Sequence, residues 1–563
     1  MFVGREKELA QLNRMYSKSG FQMAVVYGRR RVGKTTLIDA FASDKPTLYF
    51  TAQQRSSLQN LAYFSRAIYS FFGLLGDAGS FPDWRSAFSF IADAAKQRDG
   101  EPFLLVFDEF PYAAETEPSL PSVLQIAIDH GLSATDVRII LCGSNEGFME
   151  GEVLGRKSPL YGRRTMQLKV KPFDCFDAAL MLPGLSPEQS ITYYSTFGGT
   201  PYYLAQIDAG ATYEENVTEL LFDTSGILYE EPLMLLRQEL REPALYNSIL
   251  DAIGSGETSP KRIAERAGVG ASSMSKYLKT LLDLGIVKRE VPFGENPSTS
   301  RRALYTLEDP FFAYWYAFVS KSVGAIEAGA GSAAARGSAF GQALQTYVGR
   351  QFEAVCGQWV VRANAKGELP FLASSFGRWW GTDSREKAET DIDLVAADKE
   401  SKAIILGECK WRNSFNESRA VELLEHRPPP CEGLFSPLVL PVHERACERS
   451  DAGEGEVAQG SDARDRRRDV RSALTPFRGL RSARARSARS RAGARAGLLE
   501  KNAEDVLRDG GAADDPHEFA LVINHGKLLE LLFRQQRGDA GDALVGSGAH
   551  YLARREIHDA AIL

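Results

Sequence analysis

The sequence predicts a multidomain α/β protein that begins with a helix-wrapped parallel sheet, and three observations carry that prediction. Strands and helical patterns alternate from the start to about residue 210, as in successive βαβ units. Three strands, Met23 to Tyr27, Phe103 to Phe107 and Val137 to Cys142, are nearly unbroken apolar runs, as expected when both faces are covered. The first of them runs into the loop Gly28-Arg29-Arg30-Arg31-Val32-Gly33-Lys34-Thr35-Thr36, and a helical pattern, Leu37 to Phe41, follows.

That loop is a complete G-x-x-x-x-G-K-[ST] motif in a strand–loop–helix context. Its glycines let backbone N–H groups close around phosphate oxygens, and the helix N-terminus adds partial positive charge. Lys34 is placed to reach the β- and γ-phosphates, and the Thr35 hydroxyl to complete the coordination of Mg²⁺. The sequence therefore predicts a nucleoside triphosphate site, with ATP and Mg²⁺ as cofactors. The second apolar strand ends in Asp108-Glu109: Asp108 to hold Mg²⁺, Glu109 to orient or deprotonate the attacking water. Ser144, at the tip of the third strand, is placed to contact the γ-phosphate or that water.

From 243 to 310 the pattern changes to three short helices: Leu245 to Ile253, Pro260 to Ala267 and Ser272 to Leu284. An alternating segment, Gly285 to Val291, a polar loop and a return strand, Arg302 to Leu307, complete the outline of a winged helix-turn-helix. Within 246–302, nine Lys/Arg against six Asp/Glu give a local charge of +3, whereas the whole chain carries −6. Ser272, Ser273, Ser275, Lys276 and Lys279 fall on one side of the third helix, opposite Met274, Leu278, Leu281 and Leu282. DNA is the partner this face suits, with Lys288, Arg289, Arg301 and Arg302 in the wing touching phosphates. Winged helices that serve protein contacts share the same outline.

Residues 311–425 open on the aromatic run Phe311 to Tyr316, read as a buried packing helix, and continue as a second α/β unit. Asp393 on one strand, then Glu408-x-Lys410 on the next, with Glu353 on the preceding helix, form a set for metal-dependent phosphodiester cleavage. Positions 408 and 410 share a strand face because side chains repeat with period two. This resembles the PD-(D/E)xK nuclease core, a restriction-endonuclease-like α/β fold. Its final strand and helix, expected after Lys410, are taken to be lost in the tail.

Beyond residue 426 the character shifts. No lysine occurs from Ser414 to Glu500, twelve arginines fall between Arg464 and Arg495, and six of seven histidines lie at or after His426. The segment 426–563 reads as a disordered basic arm or as a frame-shifted tail, and no function is assigned to it.

Composition sets outer bounds. A chain of 563 residues holds about three or four domains at ~100–200 residues each. No apolar run is long enough to span a membrane, no signal peptide opens the chain, and six scattered cysteines point to a reducing cytoplasm.

The segments Phe2 to Leu9, Gly28 to Thr36, Val106 to Pro111, Gly143-Ser144, Pro159 to Arg163 and Gly198 to Leu204 together resemble the archaeal-type ATPases of the STAND/AAA+ lineage. The resemblance spans about residues 1–425, in motif order. It implies that Gly4 and Arg5 lie near the adenine, that Arg163 is an arginine finger, and that Gly198 to Leu204 open a helical lid. A finger acting in trans requires a homo-oligomer. The resulting organisation is an ATPase domain at 1–195, a lid at 196–242, a winged helix at 243–310, a nuclease-like unit at 311–425 and the tail. Its function reads as an ATPase whose nucleotide state controls DNA engagement and a nuclease-like domain. The alternative is a nucleotide-gated regulatory or scaffold protein without cleavage.

Overall fold

The computed structural model describes residues 2–74, 79–98, 100–383 and 387–411, together with the backbone of 517–524. The arginine-rich stretch between Arg464 and Arg495 lies outside the described residues.

The N-terminal sheet has five parallel strands: β1 (Gln22–Tyr27), β2 (Thr47–Thr51), β3 (Phe103–Asp108), β4 (Val137–Gly143) and β5 (Met166–Lys169). Their order is β2-β3-β4-β1-β5. Every residue of β1, β3 and β4 is buried, and the two-residue period sorts them onto opposite faces. Met23, Val25, Phe103, Leu105, Phe107, Ile139 and Leu141 pack on one face against helices Ser57–Phe71, Trp84–Lys96 and Leu120–His130. Ala24, Val26, Leu104, Val106, Ile140 and Cys142 pack on the other, against Glu6–Tyr16 and Lys34–Ala42. Burial of each large side chain stabilises by ~1.5–3 kcal/mol, so the loops at the sheet's C-terminal edge rest on a well-held core. Because β3, β4 and β1 are neighbours, that edge gathers Asp108, Gly143 and the loop after Tyr27.

Five helices follow, Cys175–Ala179, Pro187–Phe197, Pro201–Leu204, Tyr213–Leu221 and Glu231–Glu239. Two begin with full capping boxes, Ser186 with Gln189 and Thr212 with Glu215, which satisfy N-terminal N–H groups that the helix leaves open. Next come helices Pro243–Gly254, Pro260–Ala267 and Ala271–Asp283 and the antiparallel hairpin β6 (Val287–Glu290) and β7 (Leu304–Leu307). Ser259 caps the second of these helices, and Gly268 ends it in the left-handed conformation. The expected three-helix and hairpin outline is therefore present. The aromatic run is buried as expected: Phe311, Phe312, Tyr314, Trp315 and Tyr316 pack in one core with residues from Phe173 to Cys409.

The last described unit sets the long helix Gly341–Lys366 against a four-stranded sheet. Its strands are β8 (Ser375–Asp383), β9 (Ala388–Asp398), β10 (Ala403–Lys410) and β11 (His517–Asn524), in the order β11-β10-β9-β8. β8, β9 and β10 are antiparallel in succession, whereas β11 runs parallel to β10. This corrects the expectation that the strand after Lys410 is lost. A strand more than a hundred residues downstream, His517–Asn524, occupies that edge.

Candidate functional site

The loop between β1 and helix Lys34–Ala42 adopts the backbone that its glycines permit. Gly28 has φ +150°, and a Cβ there would lie 2.2 Å from the Val170 carbonyl oxygen, so only glycine fits. Gly33, at φ +84°, turns the chain into the helix. Lys34 is buried and folds back over the loop, donating to the carbonyls of Gly28 at 2.8 Å and Arg29 at 3.0 Å. Thr35 Oγ1 lies 3.2 Å from Asp108 Oδ2, so the two predicted metal ligands are adjacent. Tyr49 also donates to Asp108, at 3.3 Å, and its phenol is held well above its usual range by burial and then by that carboxylate.

Glu109 stands just past β3 at φ +51°, a left-handed conformation that is costly for a side chain of this type. Its carboxylate is held by Ser144, whose Oγ is 2.9 Å from both Oε1 and Oε2 and whose N–H lies 3.3 Å from Oε2. The structure thus brings Lys34, Thr35, Asp108, Glu109 and Ser144 to one edge of the sheet.

Val32 is buried in the core under the loop, and Thr36 follows Thr35 within the first turn of the helix. Gly4 and Arg5 approach from the other side. Arg5 is buried, donates to the carbonyls of Val32 and Lys171, and lies over the Phe173 ring. A Cβ on Gly4 would meet the Asp177 Cβ at 2.9 Å.

Residues 2–207 match the family described as an ATPase domain predominantly from Archaea. The chain carries an ATPase domain of archaeal type, and it is an ATP-binding ATPase. Residues 315–421 match a second family, described as Archaea bacterial proteins of unknown function. Over 413 residues the chain is 29% identical to an uncharacterized protein of Methanocaldococcus jannaschii, covering 73% of this chain and 88% of that one. A stretch of 45 residues is 47% identical to an uncharacterized ATP-binding protein of the same organism, covering 8% of this chain and 76% of that protein. Among solved structures, a Walker-type ATPase of Pyrococcus abyssi is similar at TM-score 0.42 and 19% identity, covering 56% of this chain and 96% of that one. The ORC2 protein of Aeropyrum pernix is similar at TM-score 0.35 and 15% identity, covering 58% and 94%.

In this ATPase the loop arginines have partners that no local motif announced. Arg29 pairs with Asp309 at 2.5 Å and donates to Thr200 at 2.8 Å; Arg30 pairs with Glu239 at 3.1 Å; Arg31 pairs with Glu231. These carboxylates lie 200 residues or more downstream, so spacing gives no sign of them. The turn containing Thr200 packs close to the loop, with the Tyr202 N–H 3.4 Å from the Arg31 carbonyl.

The contacts of Arg163 lie elsewhere in its own chain. It makes a two-point ion pair with Asp129, at 2.9 and 3.0 Å, and donates to the carbonyls of Pro159 and Tyr161.

On the third helix of the hairpin unit, Ser272, Ser273, Ser275, Lys276 and Lys279 are exposed, while Met274, Leu278 and Leu281 are buried. Lys288 and Arg289 are half-buried on β6. In the last unit, two buried carboxyl groups, Glu353 and Asp393, are held above their usual range. The Glu353 carboxyl is pushed up to about 7, by burial first and then by Asp393. Asp393 is pushed up to about 6, by burial and then by Glu408, and accepts from the Cys409 N–H at 2.8 Å. Lys410 is ion-paired with Glu408. Among the described residues, no group of three or more His, Cys, Asp or Glu side chains is gathered so as to hold a metal ion.

Proposed function

We propose that this ATPase is Mg²⁺-dependent and uses its nucleotide state to set the engagement of DNA by residues 243–310, acting as a winged helix. The observation that carries the reading is the joint placement of Thr35 against Asp108 and of Glu109 against Ser144, beside a buried Lys34. Thr35 and Asp108 offer hard oxygen donors of the kind Mg²⁺ takes, so the residues present fit the ion. Held by Thr35 and Asp108, the ion would supply positive charge that offsets the negative charge developing on the phosphates. Lys34 leaves the loop carbonyls for the phosphates, Glu109 accepts the proton of the attacking water, and Ser144 fixes the orientation of that carboxylate. Residues from 196 to 242 act as the lid, and Arg163 acts in trans on a neighbouring copy.

DNA engagement is supported by the exposed serines and lysines of helix Ala271–Asp283 and by the local positive charge. Fluorescence anisotropy with a labelled duplex tests it: ATP should change the apparent affinity of the parent chain and leave that of Lys34→Ala unchanged. Affinity that ignores ATP in both would remove the coupling.

A second reading, a nucleotide-gated scaffold without cleavage, is favoured by the Lys410–Glu408 pair, which occupies the lysine that cleavage would need. Mg²⁺- or Mn²⁺-dependent nicking of a plasmid, lost in Asp393→Ala and Lys410→Ala, would establish the nuclease instead.

A further inference from the structure

Three consecutive arginines of the phosphate loop meet three carboxylates from two downstream segments. Glu231 opens and Glu239 closes the helix Glu231–Glu239, and Asp309 caps the helix Pro310–Tyr314 directly after the hairpin. The Arg29–Asp309 pair is the most enclosed, at 3% and 5% side-chain exposure. Asp309 also accepts from the N–H groups of Phe311 and Phe312, so one carboxylate joins the phosphate loop to a helix start. Arg30 adds a bond to Tyr112, and Glu231 accepts from Tyr203. Two guanidinium nitrogens of Arg29, Nε and Nη1, are buried and make no hydrogen bond among the described residues.

Charge decides what these pairs do. Three positive and three negative groups balance within the loop's immediate surroundings, and burial leaves them poorly screened. Phosphates delivered to the same loop attract the arginines and repel the carboxylates. Losing one member of a buried pair leaves the other unpaired, which is strongly destabilising unless a new counter-charge arrives.

We propose that Arg29, Arg30 and Arg31, with Asp309, Glu239 and Glu231, form a latch in which the nucleotide's phosphates compete with the carboxylates. Phosphate binding thereby loosens the docking of residues 231–309 on the ATPase sheet. This rests on the ATP-binding reading and names its regulation. Because coupling is reciprocal, weakening the carboxylate side must strengthen nucleotide binding by the same factor.

Asp309→Asn tests this with little damage to the cap, since asparagine caps helices as well as aspartate. ATP affinity would be measured with a fluorescent ATP analogue, and melting with and without ATP. The variant should bind about tenfold tighter, as removal of one nearby negative charge implies. It should also melt lower than the parent without ATP and show a larger ATP-induced rise. In the parent, ATP should speed hydrogen exchange in Pro310–Tyr314 and in β6–β7; in Asp309→Asn that response should vanish. A lower melting point with unchanged or weaker ATP affinity would make the pair purely structural and overturn the latch. If Asp309→Asn does not fold, Glu239→Gln asks the same question and must also bind ATP more tightly. A parent chain that binds no ATP would overturn the ATP reading, and the latch with it.

Discussion

Ser144 places its hydroxyl 2.9 Å from both carboxylate oxygens of Glu109. One hydroxyl hydrogen serves two acceptors, so it pins the orientation of the carboxylate more than it neutralises its charge. Glu109 meanwhile sits at φ +51°, in a backbone conformation costing ~1–3 kcal/mol. Ser144→Ala should therefore lower kcat by about ten- to hundredfold, within the range for a misplaced general base, and leave the KM for ATP within about threefold. Steady-state phosphate release measures both. A raised KM with kcat intact would show that Ser144 binds nucleotide rather than positioning Glu109.

Glu109→Gln keeps the shape of the side chain and removes its basicity. ATP binding should be retained while turnover falls by at least about a hundredfold. A single-turnover assay with radiolabelled ATP separates the two, and hydrolysis at the parent rate would exclude Glu109 as the base.

Gly28→Ala should disable the loop. The added Cβ would sit 2.2 Å from the Val170 carbonyl, which belongs to the backbone that bonds Tyr27 at 2.7 Å and has no room to shift. Loss of ATP-induced thermal stabilisation is the expected result. Normal stabilisation would mean that the loop tolerates a different backbone.

Two buried carboxyl groups in the last unit, Glu353 and Asp393, make stability depend on pH. Glu353 and Asp393 have folded values of about 7 and about 6, above their ordinary 4.5 and 3.8. The folded form thus holds protons more tightly than the unfolded chain. Stability from this source is greatest below about pH 4 and falls as pH rises, levelling off above about pH 7. The melting temperature in EDTA should drop between pH 5 and pH 8, and Asp393→Asn should flatten the drop. An unchanged slope in that variant would show that the buried carboxylates are not its source.

The ATPase half was legible because its signals are local. The glycines of the loop, the apolar strand before Asp108 and the strand tip at Ser144 each carry their meaning within a few residues, and sheet order then brings them together. The alternation of buried and exposed residues around Met274 and Lys276 was legible for the same reason, since helical period alone sorts them. What pairs across the fold was not. Nothing near Arg29 points to Asp309, 280 positions away, and nothing near Lys410 points to a parallel partner at His517–Asn524. The two-point bond of Arg163 to Asp129 depends likewise on how helix Leu120–His130 packs, which no motif encodes.

On the proposed DNA reading, ion pairing within the hairpin unit ranks its basic residues. Lys279 is paired with Asp283 at 3.0 Å, Lys288 with Glu290 at 3.0 Å and Arg302 with Glu295 at 2.5 Å. Each must lose a partner before it meets a phosphate, which offsets much of what the new contact contributes. Lys276 is exposed, rests 5.8 Å from the Tyr277 ring centre and has no ion pair among the described residues. Lys276→Ala should therefore weaken DNA binding more than Lys279→Ala or Lys288→Ala. It should also reduce the slope of log affinity against log salt by about 0.9, one phosphate contact. Anisotropy titrations across a range of salt concentrations read that slope. Equal losses from all three substitutions would mean that the existing ion pairs do not gate access to phosphate, and an unchanged slope in Lys276→Ala would take DNA off this helix.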